Sequence, residues 1–462
     1  MRYKTYCFGD LVEKWIDNRG KTPPLSENGI PLLEVKHLPE SNLYPKIVGT
    51  KFVDKETYDS WFRAYLEPND ILFSTVGTTA RVVMTPPTET VAIAQNILGI
   101  RFKKDLVDPW FMFYYMRGKQ FQHDIEARLV TTVQASIKRA DMVGIPIAVP
   151  QLDAQKELVH RVISLDHKIQ LNQDINQTLK QMAQALFKSW FIDFEPVKAK
   201  ISVLEAGGSQ EEATLAAMTA ISGKDAGSLA VFEQVYPEKY AELKSTAELF
   251  PSAMQDIESV KIPESWNLAP LSSIASFASG KIDVSELTKD TYISTENMLV
   301  NKMGIECATS LPSASTTPSF NPGHILISNI RPYFKKIWFA RFSGGRSADV
   351  LAFEHKKHIT AEYLYNVLYQ DSFFDFMMRT SKGVKMPRGD KKAIMEWSCI
   401  VPTVELVSVF SNKVKEFYSY IESHNKENTQ LSQLRDTLLP KLLSGEITLP
   451  DAEEIAKEAD YV

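Results

Sequence analysis

The chain has 462 residues, 44% apolar and 24% charged, which is too long for one ordinary core and points to two to four domains of a globular protein. Cys7, Cys307 and Cys399 stand far apart with no CxxC and no Cys/His cluster, which excludes a disulfide framework or structural zinc and fits a reducing compartment. The formal charge of −5 argues against nucleic acid only until it is mapped: residues 1–150 carry +2 and 261–402 carry +4, while 194–260 carry −6 and 446–462 carry −5.

The N-terminal MRYKTYCFGD lacks the apolar stretch of a signal peptide, and no apolar run approaches the ~20 residues of a membrane span, so a cytoplasmic protein without membrane contact is expected. Residues 1–150 alternate short β-branched and aromatic runs with Pro, Gly and Asn breaks, as in VAIAQNILGIRF, and place a helix near PWFMFYYMRGKQF. They predict a mixed α/β domain closed by the apolar strand MVGIPIAVP. Three polar groups in it suit DNA, because Lys and Arg neutralise phosphates while Arg, Asn and Gln pair with base edges. They are Arg19 and Lys21; Thr78, Thr79 and Arg81 on a Gly-containing loop; and Gln134, Ser136, Lys138 and Arg139.

Residues 151–193 predict one long helix. Leu158, Val162, Leu165, Ile169, Leu179, Met182, Leu186 and Trp190 recur at steps of three and four and mark a single apolar stripe. Residues 194–260 read as an acidic connector of short helices, with a capping box at Ser209/Glu212 and a stop at Gly223. Residues 261–402 repeat the plan of the first domain: PGHILISNIR answers PNDILFSTVG at an offset of 254, and IMEWSCIVP answers MVGIPIAVP at 252. The DNA candidates recur there as Asn329, Arg331, Tyr333, Lys335 and Lys336, and as Lys382, Lys385, Arg388, Lys391 and Lys392.

Residues 403–445 predict the second long helix. At the offset of 252 its Phe410, Val414, Phe417, Ile421, Leu431, Leu434, Leu438 and Leu442 match the first stripe, and His424 and Asn428 match Asn172 and Asn176 as polar interruptions. About 40 residues make a rod of ~60 Å. A one-stripe rod of that length needs a partner, and its twin is the nearest one, so an intramolecular coiled coil is expected with Asn176 and Asn428 setting register. The tail 446–462 is acidic.

Catalytic signatures are missing. No GxGxxG, Walker loop, HExxH or GxSxG occurs, and KTPPL and MTPPT lack both ends of an adenine methyltransferase loop. Glu34-x-Lys36 has the spacing of a metal-dependent nuclease core, which needs a second carboxylate such as Asp17 or Asp70. A stand-alone nuclease and a coiled-coil adaptor without DNA binding therefore stand as alternatives.

The chain resembles the specificity subunit of type I restriction–modification enzymes. The carrying segments are IPIAVPQLDAQKELV, with Pro150, Leu152 and Gln155 at the helix entry, LKQMAQALFKSWFIDFEPVKAK, IPESW, and LSQLRDTLLPKLLSGEI; the second helix departs by placing Val407 where Gln is expected. The resemblance implies an α+β fold: two α/β target-recognition domains in pseudo-two-fold repeat, joined by two long helices in an antiparallel coiled coil. It implies a non-catalytic subunit that reads a bipartite site on double-stranded DNA and holds no cofactor. Two methylation subunits using S-adenosylmethionine, and restriction subunits using ATP and Mg2+, are the implied partners. Phe187, Trp190, Phe191, Leu438, Leu439 and Leu442 exceed what one seam buries, and are assigned to docking of those partners.

Overall fold

The computed structural model describes residues 3–18, 20–40, 42–131, 135–383, 385–444 and 446. Arg19, Gln134 and the tail beyond Glu446 lie outside the described residues. The chain divides into two units, residues 1–174 with 424–462, and residues 175–423. Each long helix, Leu152–Phe191 and Val404–Ser444, contributes one end to each unit.

In the first unit, strands Val12–Asp17, Ile97–Phe102, Ile71–Ser74 and Val82–Met84 form an antiparallel sheet in that order. Every residue of Ile97–Phe102 is buried, as a central strand rich in Ile and Leu requires. Tyr3–Cys7 pairs with Pro146–Pro150, and Ile30–Leu33 runs parallel to Ala92–Ile93. Helix Pro109–Arg117 begins where Asp108 accepts the Trp110 and Phe111 N–H groups, and Pro109 loses no hydrogen bond at that first position.

The second unit repeats the main sheet and the terminal strand pair, while its other sheet has four strands where the first unit's has three. Strands Ala275–Phe277, Val350–His355, Ile325–Ser328 and Ile337–Phe339 repeat the four-stranded order, Asn267–Pro270 pairs with Ser398–Val401, and Tyr292–Ile293 runs parallel to Gly344–Arg346. Helix Ala361–Leu368 starts at Thr360, 252 residues after Asp108, and Thr360 caps it through the Tyr363 N–H. The repeat read from the sequence is thus a repeat of fold.

The long helices enter their domains differently. Gln155 is fully buried: its Oε1 accepts the Asp108 N–H at 2.8 Å, and its Nε2 donates to the Pro150 carbonyl at 2.8 Å and to the Leu106 carbonyl at 3.3 Å. One amide therefore fastens the first helix to the capped turn. At the matching place Val407 is 1% exposed in the apolar core, and the tie moves one turn along, to a hydroxyl pair between Ser411 and the cap Thr360. The departure at Val407 exchanges a polar fastener for packing and relocates the polar one.

Within each unit the two helices run antiparallel, and a three-way polar node marks their register. In the first unit the Tyr114 hydroxyl donates to Asp166 Oδ2 at 2.7 Å and Arg435 Nη1 donates to Asp166 Oδ1 at 2.5 Å. In the second, Asn366 Nδ2 donates to the Tyr418 hydroxyl at 2.8 Å and Gln184 Nε2 donates to Asn366 Oδ1 at 2.6 Å. Asn366 and Tyr418 occupy the repeat positions of Tyr114 and Asp166, so one node is ionic and its twin neutral. Asn172, fully buried, adds a register mark by donating to Asn428 Oδ1 at 2.9 Å and Glu427 Oε2 at 2.7 Å.

The seam residues Leu158, Val162, Ile169, Asn176, Phe410, Val414, Ile421, Leu431 and Leu438 are buried. Leu165, Leu179, Leu186 and Phe417 are partly buried against the same cores. Asn428 is half-buried. Met182 instead is 49% exposed, and Ala183 takes the inward place. The seam is not a free coiled coil: apart from Ile169 and Leu431, its buried apolar residues in each unit belong to one core with the adjoining domain.

That core also absorbs the residues assigned to partner docking. Phe187, Trp190 and Phe191 are at most 2% exposed, with Phe187 and Phe191 packed on Tyr363 and Phe410 at 5.1–5.7 Å between ring centres and Trp190 on Phe250 at 5.1 Å. Leu438 and Leu442 are buried and Leu439 partly buried in the first unit's core. The apolar excess is spent on the chain's own domains, so it offers no open docking face.

The connector forms helices Glu195–Glu205, Gln210–Ser222, Ala226–Val235 and Pro237–Glu248. Ser209 and Glu212 make the expected reciprocal cap, and Gly223 ends its helix at φ +67°. Ala217, Met218, Leu229, Leu243 and Ala247 give these helices a small core of their own.

Arg435→Ala removes the cation that pairs directly with Asp166, which is 5% exposed; breaking a buried pair costs about 3–5 kcal/mol, and the nearby Arg117 holds the loss toward the lower end. Denaturant melts of the variant are expected to show that loss, and adding Asp166→Asn is expected to restore part of it.

Candidate nucleic-acid interface

In each domain three loops separated in sequence are tied by backbone hydrogen bonds. In the first, the Thr75 N–H donates to the Asn96 carbonyl (2.8 Å), the Ile137 N–H to the Thr75 carbonyl (3.0 Å) and the Gly77 N–H to the Ala135 carbonyl (3.0 Å). In the second, the Asn329 N–H donates to the Asp349 carbonyl (2.8 Å), the Gly389 N–H to the Asn329 carbonyl (3.2 Å) and the Arg331 N–H to the Pro387 carbonyl (2.8 Å). These bonds correspond one to one at offsets of 252–254. Bridges Val76↔Ser136 and Ile330↔Arg388 complete the match. The two polar groups that the sequence placed about 60 residues apart in each domain are therefore neighbours in space.

The frame is shared, but the side chains on it differ. In the first domain Thr78, Lys138 and Arg139 are exposed, and Thr79 and Ser136 are half-buried. Lys21 is exposed in the strand-end loop next to Gly20, which lines the same cleft as Thr75, Gln95, Asn96, Lys138 and Arg139. Arg81 has turned inward: its Nη1 donates to the Leu38 carbonyl at 2.9 Å, so it holds the loop rather than facing solvent.

In the second domain Arg331, Lys385, Lys391 and Lys392 are exposed, with no ion pair among the described residues, and Tyr333 is 49% exposed. Lys335 is drawn to Asp371 at 2.9 Å, which Lys302 also reaches at 2.8 Å. Lys336 donates to the Thr295 carbonyl, and burial lowers its pKa. Lys382 pairs with Asp390 at 2.6 Å and Arg388 with Asp349 at 3.1 Å. Asn329 is buried and donates to the Gly389 carbonyl, so it braces the frame. Of the predicted group, Arg81, Asn329 and Lys336 each spend a side-chain donor on a backbone carbonyl of their own domain.

Sequence reasoning missed Gln95, Asn96 and Asp349. Gln95 and Asn96 are exposed between buried strands, with Asn96 at φ +71°, a conformation Asn tolerates. Their signal was the polar break inside VAIAQNILGIRF, a run otherwise read only as apolar strand.

The nuclease alternative finds no site. Glu34 is neutralised by Lys36 at 2.7 Å and Lys51 at 2.8 Å. Asp70 is held by the Arg101 guanidinium in a bidentate pair at 2.8–2.9 Å. No cluster of three or more metal-ligating side chains occurs among the described residues, and among them no helix is long and apolar enough to cross a membrane.

Residues 2–181 match the type I restriction modification DNA specificity domain. Over that stretch the chain is similar to the DNA specificity domain of type I restriction systems. It is 28% identical over 412 residues to the HindI specificity subunit of Haemophilus influenzae, covering 83% of this chain and 87% of that one. To the MjaIX specificity subunit of Methanocaldococcus jannaschii it is 22% identical over 395 residues, covering 79% and 76%. The solved S subunit of a type I system from M. genitalium aligns over 96% of each chain at 14% identity, with a TM-score of 0.46. The family match and the two relatives support the specificity-subunit reading and not the nuclease or adaptor alternatives.

Hydrogen bonds from Lys36 and Lys51 hold the Glu34 pKa down from 4.5 to about 2. A depressed carboxylate stabilises the fold above its unfolded pKa and loses that contribution as pH falls through the folded one. The stability gap between wild type and Glu34→Gln is therefore expected to close between pH 4.5 and about 2, as read by denaturant melts across that range.

Proposed function

We propose that this chain is the specificity subunit of a type I restriction–modification system: it binds double-stranded DNA and reads a split site, one half with each domain. The observation that carries the reading is the twin three-loop frame, identical in backbone bonding and different in side chains. A shared frame places each reader alike on DNA, while exchanged side chains let each prefer its own bases. The division we infer is a first recognition domain at 1–150, helices at 151–193 and 403–445, a connector at 194–260, a second recognition domain at 261–402 and a tail at 446–462.

In this reading the chain performs no chemistry. Two methylation subunits bring adenine-N6 methylation with S-adenosylmethionine, restriction subunits bring ATP- and Mg2+-dependent translocation and cleavage, and the assembly works in the cytoplasm. The paired helices set the spacing of the half-sites, about one or more turns of DNA. Because Phe187, Trp190, Phe191, Leu438 and Leu442 are buried, methylation subunits dock on surfaces other than those rings and leucines.

Titrating a specific duplex against salt tests phosphate contact. The logarithm of affinity is expected to fall linearly with the logarithm of salt, and Lys391→Ala with Lys392→Ala is expected to flatten the slope by about 1–2. A flat wild-type curve contradicts DNA binding. Replacing residues 1–150 by the corresponding domain of another specificity subunit is expected to change one half of the selected site only; a change in both halves contradicts independent readers.

A further inference from the structure

The frames differ most sharply at one crossing. In the second domain Asp349 and Arg388 meet there: both flank Asn329–Ile330 through the frame bonds, and Arg388 Nη2 donates to Asp349 Oδ2 at 3.1 Å. The corresponding positions in the first domain are Asn96 and Ser136, both uncharged. An ionic pair in one reader is thus replaced by amide and hydroxyl in the other, on the same backbone.

The chemistry of each set selects a different base. Arg388 keeps 55% of its side chain exposed, and Asp349 engages only one of its five N–H groups. A planar guanidinium braced from one side and open on the other matches the O6 and N7 acceptors of guanine. In the first domain Gln95 and Asn96 are adjacent exposed amides, with Lys138 and Arg139 on the same cleft, a space of about 430 Å³. An amide both donates and accepts, which matches the N7 and N6 amino group of adenine, and the two neighbouring cations can hold phosphates.

We propose that this crossing is a specificity determinant of each half-site: Arg388, positioned by Asp349, reads a guanine, and the Gln95–Asn96 amides read an adenine. The inference rests on the DNA-reading function proposed above and assigns residues and bases within it. Asn96 also shapes the backbone at positive φ, so Gln95 is the cleaner position to alter.

The test is selection of bound duplexes from a randomised pool by the full chain, comparing wild type, Gln95→Ala, Arg388→Lys and Asp349→Asn. Lysine keeps the charge of Arg388 but not the fork. Arg388→Lys is expected to weaken preference for guanine at one base pair by roughly 5- to 150-fold, the loss of one bidentate contact, and to leave the other half-site unchanged. Asp349→Asn is expected to weaken the same guanine preference less. Gln95→Ala is expected to relax an adenine in the opposite half-site only. Affinity falling equally for all sequences, or preferences identical to wild type, overturns the assignment while leaving DNA reading intact. A wild-type chain that enriches no sequence overturns the DNA-reading function itself.

Discussion

Two forty-residue amphipathic helices impose the central constraint on this chain. Each exposes an apolar stripe that water does not tolerate, and in each unit the antiparallel end of the other helix, together with the adjoining domain, covers it. Pairing of this kind is non-directional on its own. The polar nodes give it direction: Asp166 with Tyr114 and Arg435, Asn366 with Tyr418 and Gln184, and Asn172 with Asn428. Since one node is ionic and its twin neutral, exchanging the helix ends would leave a buried carboxylate without its cation. The pseudo-symmetric halves are therefore not interchangeable.

The same logic governs the readers. Both domains share the strand order of the main sheet, the capped helix at Pro109–Arg117 or Ala361–Leu368 and the three inter-loop hydrogen bonds, so the backbone of the loop frame is held constant. The side chains carried on that frame differ, and there a solvent-facing change costs little stability. A domain can alter its base preference without altering how it attaches to the helices. Gln155 and the Ser411–Thr360 pair, which make that attachment, sit on the helix-entry side and take no part in the frame.

Much of this was legible in the chain itself, for local reasons. The helix stripes, the Ser209/Glu212 cap, the Gly223 stop and the 252-residue repeat depend on spacing and residue type, which sequence displays directly. What failed depended on tertiary partners. Phe187, Trp190 and Phe191 looked like an uncovered surface because nothing in the sequence shows Tyr363, Phe250 and Phe410 arriving against them. Arg81 and Asn329 are polar loop residues in the sequence, and only the fold brings the Leu38 and Gly389 carbonyls beside them. Met182 falls on the three-and-four stripe of the sequence, yet 3.6 residues per turn carries Ala183 inward instead. Gln95 and Asn96 give little signal in the sequence because their neighbours Ile93 and Ile97 are buried strand residues, and the exposed two-residue break is short.

The account stands on two equivalent readers acting independently on one DNA. Amide hydrogen exchange of the full chain, free and bound to its selected duplex, measures this most directly. Segments 74–79 with 135–139, and 328–333 with 385–389, are expected to gain protection together on the intact site. Scrambling one half-site is expected to remove protection from one pair of segments and spare the other. Protection confined to residues outside both domains, or that vanishes from both domains when either half-site is scrambled, contradicts the account.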